Sequence, residues 1–172
     1  MTARTLSTTR EDYVVAWLAA LAIAIHIIES ALPSPLPGVK PGLANVVTVA
    51  ALILYGWRVA VWVSVLRVIA GSMLIGTFLS PTFVLSLSGA LAALLALGMS
   101  YKLPNISALG LCVIAAMAHI SAQLYVAYLL FIPHPGLFKL MPVLMTVAVI
   151  TGTVTGLICR RVVSAAKEAY AI

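Results

Sequence analysis

His26, Glu29, Arg67, His119 and Gln123 are the side chains of this sequence best suited to chemistry, and each stands inside a run of apolar residues. His26 and Glu29 are three positions apart, and His119 and Gln123 four apart, so on a helix each pair shares one face. Ser64, Arg67 and Gly71 share a face in the same way. An ionisable group inside an apolar segment is costly in hydrocarbon and marks a functional position. Arginine and two imidazoles offer N–H donors to an anion, while Glu29 offsets part of the positive charge. Asn45, Ser86, Ser88 and Gln123 can orient a bound molecule by neutral hydrogen bonds, and Lys40 adds a cation from a connection rich in proline and glycine. This set suits a small anionic or phosphate-bearing solute, with Arg67 as its anchor. The structural alternative is a buried network in which Glu29 neutralises Arg67 and His119 and Gln123 bond between helices.

Other chemistries lack their residues. No glycine-rich loop ends in the lysine that a bound nucleotide requires. Asp12 is the single aspartate, so no acidic cluster is present to hold the metal ions of prenyl transfer. His26, His119 and His134 have neither metal-site spacing nor cysteine partners. The expectation is therefore no catalysis, no metal and no cofactor. Cys112 and Cys159 lie in apolar segments and read as small packing residues.

The elements that must position these groups follow from composition. Of 172 residues, 63% are hydrophobic and 8% charged, against roughly 25% charged in a soluble domain. Mean hydropathy is +1.18. These values exclude a soluble globular domain and a disordered chain. The net charge of +6 is scattered at the ends of apolar runs, which excludes a nucleic-acid surface. An all-α integral membrane protein is predicted, and at roughly 20 apolar residues per span six helices fit. Breakers place the spans at about Tyr13–Leu32, Leu43–Tyr55, Trp57–Gly76, Thr82–Ser100, Ile106–Ile132 and Leu140–Cys159. The second is short. Residues 13–160 then form one transmembrane domain, with tails at 1–12 and 161–172.

Lysine and arginine bias sets orientation. With six spans, Arg4, Arg10, Arg58, Lys102, Arg160, Arg161 and Lys167 share one side, and Lys40 and Lys139 the other. Both termini are therefore expected in the cytoplasm, as in a multi-pass protein of the cytoplasmic membrane. At ~1.5 Å per residue Arg67 lies ~15 Å deep, near the midplane. His26, Glu29, Asn45, Ser86, Ser88, His119 and Gln123 fall in the outer half. Ala16, Ala20 and Ala24 repeat every four residues, a spacing of small side chains that lets another helix approach closely. This stripe is centred roughly 150° from the face of His26 and Glu29. Gly152 and Gly156 form a similar pair, read as internal packing.

The segment Pro37-Gly38-Val39-Lys40-Pro41-Gly42-Leu43-Ala44-Asn45 resembles the signature loop of the Gx transporter family, whose members often carry the label heptaprenyl diphosphate synthase component I. Arg67, Gly76-Thr77-Phe78, Ser86-Leu87-Ser88-Gly89 and the stretch from His119 to Gln123 with its Leu-Tyr-Val-Ala continuation extend the resemblance over about 13–160. That family is similar to the S components of energy-coupling factor (ECF) transporters, six-helix bundles with an outward-facing pocket. The resemblance implies a loop at 33–45 that lids or lines the pocket. It also implies that Ala16, Ala20 and Ala24 dock on a transmembrane coupling subunit driven by ATPases. The implied substrate is vitamin-, flavin- or isoprenoid-precursor-like. An accessory subunit of isoprenoid-quinone or flavin-related redox assembly, working without transport, is the other function that fits.

Overall fold

The chain is described by a computed structural model at residues 9–31, 44–104 and 106–170. Among these residues it is all-helical: α1 (Arg10–Ala31), α2 (Ala44–Tyr55), α3 (Trp57–Ile75), α4 (Pro81–Ser100), α5 (Ala108–Leu130) and α6 (Met141–Tyr170). A 3-10 turn over Pro135–Leu140 leads into α6. Lys40 and most of the proline-glycine segment before Ala44 lie outside the described residues.

Local chemistry sets the helix ends. The Thr9 backbone N–H and hydroxyl donate to Asp12 Oδ2 at 2.7 and 2.8 Å, closing the first turn of α1. Ser80 caps α4 by accepting from the Phe83 N–H at 3.3 Å, with Pro81 at the first helical position, where a missing N–H is harmless. Ser107 caps α5 through the Gly110 N–H at 3.2 Å. Gly76 ends α3 in the left-handed conformation at φ 78°, which leaves the Thr77 N–H to reach the Ser72 carbonyl at 2.8 Å. The Gly76-Thr77-Phe78 motif is thus a helix stop. His134 serves its own turn, Nδ1 accepting from the Gly136 N–H at 3.0 Å.

Five helices are long and apolar enough to cross a membrane: α1, α3, α4, α5 and α6 with its leading turn. The chain is therefore a multi-pass membrane protein. The remaining helix, α2, has 12 residues and a length of ~18 Å, against a hydrocarbon core of ~30 Å. Apart from Asn45 and Thr48 its sequence is apolar on every side, the pattern of a helix buried all round. Ala44 and the seven residues Val46 to Leu52 are all buried. It packs on α1, α3, α5 and α6, while α4 bridges α3 and α5. The result is an incomplete ring, α1–α3–α4–α5–α6, drawn around α2 and open between α6 and α1.

One seam shows how closely the ring packs elsewhere. A methyl group at Gly156 would meet Leu109 Cα at 2.7 Å, and one at Gly152 would meet Val113 Cα at 2.8 Å. Bare glycine backbone therefore lets α6 lie directly on α5, the contact expected of these two residues. Cys112 and Cys159, both buried, face each other across the same seam. At one end of the bundle Arg58 pairs with Glu11 at 3.5 Å, and Tyr101 and Arg160 meet around one cavity. This end gathers the basic residues of the helix termini and is called the basic end below.

Candidate functional site

The interior polar group of greatest cost is Arg67, 4% exposed on α3. It lies ten residues from Trp57, and Asn45 lies ten residues from Tyr55. The two helices run in opposite directions from Gly56, so the two side chains arrive at the same level. There Arg67 Nη1 donates to Asn45 Oδ1 at 3.0 Å. Glu29 of α1, also 4% exposed, lies within electrostatic reach of the guanidinium. Three helices thus place an arginine, a carboxylate and an amide together, and a buried charge is tolerable only when paired in this way.

The pairing is incomplete. Arg67 Nε is buried and has no hydrogen-bond partner among the described residues. The same holds for Thr48 Oγ1, one turn along α2 from Asn45. Threonines in helices usually donate to a carbonyl four residues back, and Thr146, Thr151, Thr153 and Thr155 of α6 all do so. Thr48 does not. A buried donor on α3 and a buried hydroxyl on α2 therefore both await a polar partner, a rare condition in a folded interior.

The histidines occupy bare backbone. His26 lies over Gly71, one turn beyond Arg67, where a Cβ would come within 2.9 Å of the imidazole Cδ2. His119 of α5 lies over Gly89 of α4, where a Cβ would come within 2.7 Å of Cε1 and Nε2. Gly71 and Gly89 are seats for imidazoles. Ser86, Ser88 and Gln123 are half-buried, and Ser88 spends its hydroxyl on the Leu85 carbonyl at 2.9 Å. The sequence-predicted residues His26, Glu29, Asn45 and Arg67 thus gather on α1, α2 and α3, while His119 lies apart on α5 against Gly89 of α4. Ala16, Ala20 and Ala24 are all exposed, on the side of α1 away from buried Ala19, Ala22 and Glu29.

Sequence reasoning gave Gly89 no part in the site, and placed Thr48 beside Asn45 in the polar layer without counting it among the binding residues. A glycine inside an apolar helix, level with a histidine of a neighbouring helix, is the signal for the first. For Thr48 the spacing of three from Asn45 puts both on one face of α2. Among the described residues no three His, Cys, Asp or Glu side chains gather as a metal site.

A further concavity runs along the open side of the ring. Leu18, Leu21 and Ile25 of α1 face Ile158 and Val162 of α6 across a groove floored by α2, about 280 Å³ in volume. Every side chain lining it is apolar.

The family model described as heptaprenyl diphosphate synthase component I matches residues 18–162. Comparison with curated proteins finds no match, and comparison with solved structures finds none.

Proposed function

The chain belongs to the heptaprenyl diphosphate synthase component I family, and we propose that within it this protein is a membrane-embedded substrate-binding subunit. It captures a small anionic solute from outside the cell, for uptake driven by an ATPase module. The observation that carries this reading is the unfinished pairing of Arg67: a buried guanidinium, held by Asn45, with Nε unpaired and Thr48 Oγ1 unpaired on the facing helix. A wholly structural arginine would be expected to have its donors satisfied.

In this reading Arg67 anchors the anion, Asn45 holds the guanidinium in place, and Glu29 keeps the empty site close to neutral. His26 and His119 add donors from either side, with Ser86, Ser88 and Gln123 as neutral contacts and Lys40 closing from the loop. The bundle lies in the cytoplasmic membrane with the basic end in the cytoplasm, following the charge bias. Ala16, Ala20 and Ala24 present a smooth exposed face to a transmembrane coupling subunit, the role implied by the similarity of the Gx transporter family to ECF S components. The chain itself is no enzyme.

Native mass spectrometry of the purified protein should find a copurifying anionic molecule. Arg67→Ala and His119→Ala should each lower its affinity tenfold or more in protein that still folds. Unchanged binding in both variants would place the site elsewhere.

A second reading is favoured by the family description, since a component implies a partner enzyme. Here the chain is an accessory membrane subunit of isoprenoid assembly and transports nothing. It predicts stable copurification with a soluble enzyme, and loss of function on changing the surface of the basic end while the Arg67 cluster is left intact.

A further inference from the structure

At the basic end, on the opposite side of α6 from the apolar groove, is a cavity of about 280 Å³. Ile53 of α2, Ile106, Ala108 and Leu111 at the start of α5, and Val163 of α6 make its apolar wall. The two lining residues with polar side chains are Arg160 and Tyr101. Lys102 and Arg161 adjoin these two in sequence.

Among the described residues no carboxylate pairs with Arg160, and the inventory of acidic side chains shows why. The protein has four. Glu11 pairs with Arg58, Asp12 is taken by Thr9, Glu168 accepts from Ser164 at 3.3 Å, and Glu29 is buried beside Arg67 in the interior. An exposed arginine at the rim of an apolar hollow, with these side-chain carboxylates engaged elsewhere, is open to an anion from outside. A free phosphate would leave the apolar wall unused, and an uncharged lipid would leave the guanidinium unused. A phosphate on an apolar chain uses both, since guanidinium matches phosphate in a two-point fork. Basic pockets between helices at the cytoplasmic surface of a membrane are where such head groups are held.

We propose that this cavity binds the phosphate or diphosphate head, and the first chain carbons, of a lipid drawn from the cytoplasmic leaflet. The volume lies near the lower limit of small-molecule sites, ~300 Å³, so the remainder of the chain lies along the helices in the bilayer. Phospholipids and isoprenoid diphosphates share this chemistry. The site is separate from the Arg67 cluster and does not depend on what that cluster binds.

The test is equilibrium binding to the full-length protein in nanodiscs of zwitterionic lipid, with three probes: farnesyl diphosphate, a short-chain phosphatidylglycerol and inorganic diphosphate. One saturable equivalent of an amphiphile is expected, at least tenfold tighter than inorganic diphosphate. Arg160→Gln should weaken it at least tenfold, and Leu111→Trp, which fills the hollow, should do likewise; Ile53→Phe replaces the latter if it does not fold. Arg161→Gln should leave affinity within twofold. Binding of farnesyl diphosphate alone identifies an isoprenoid diphosphate site, binding of phosphatidylglycerol alone a phospholipid site, and mutual competition a site for both. The proposal is overturned if neither amphiphile saturates, if inorganic diphosphate binds equally well, if Arg161→Gln is as damaging as Arg160→Gln, or if Arg160→Gln and the filling variant both bind normally.

Discussion

His119 illustrates how much of this site depends on a residue with no side chain. Its ring lies where a Cβ on Gly89 would stand, at 2.7 Å from two ring atoms. Gly89→Ala should therefore displace the imidazole and destabilise the protein by about 1–3 kcal/mol, the usual cost of overpacking. Thermal unfolding in detergent measures this. In a His119→Ala background the same substitution should cost far less, because the clash has been removed; an equal cost in both backgrounds would mean that Gly89 serves the helix and not the histidine. The Arg67–Asn45 bond was within reach of sequence reasoning, because both residues stand ten positions from the α2–α3 connection and depth can be counted along each helix. The seat of His119 was not. It depends on which face of α4 meets α5, and side-chain spacing within either helix says nothing of that.

Small-residue spacing occurs twice at the level of whole helices, with opposite outcomes. On α6, Gly152 and Gly156 are consumed by the α5 backbone, while on α1 Ala16, Ala20 and Ala24 remain exposed. Gly156→Val should push α6 away from Leu109 Cα, which cannot yield as a side-chain tip could, and lower stability by about 1–3 kcal/mol or more. Ala24→Val should change the stability of the isolated chain by less than ~0.5 kcal/mol. Chemical denaturation of the two variants side by side checks the contrast. The spacing was visible in both cases, but only the packed structure separates a seam already closed from a face still open. Helix boundaries were legible because Gly76, Ser80-Pro81 and Ser107 are strong local punctuation. The continuation of α6 through residues 161–170 was less so, since a polar segment after a span is equally consistent with a tail.

For the molecule as a whole, the polar interior and the exposed alanine face lie on different sides of α1. If the chain is the substrate-binding subunit proposed above, transport and binding are separable. Ala20→Trp should abolish ATP-driven uptake in cells while leaving solute affinity of the purified protein unchanged; uptake at the normal rate would remove the docking role from this face. The open side of the ring adds a consequence for how the protein is made. A 12-residue helix is too short to be accepted by the translocation machinery as a span in its own right. It is joined to α3 through Gly56 alone, whose φ of 90° with extended ψ is a conformation only glycine adopts readily. The hairpin of α2 and α3 is then the natural unit of insertion, with the long arm carrying the short one into the bilayer. Its lipid-exposed state lasts only until α5 and α6 emerge and wrap it. The central element of the bundle is thus second in the chain, yet its packing is complete only when the last helix is in place.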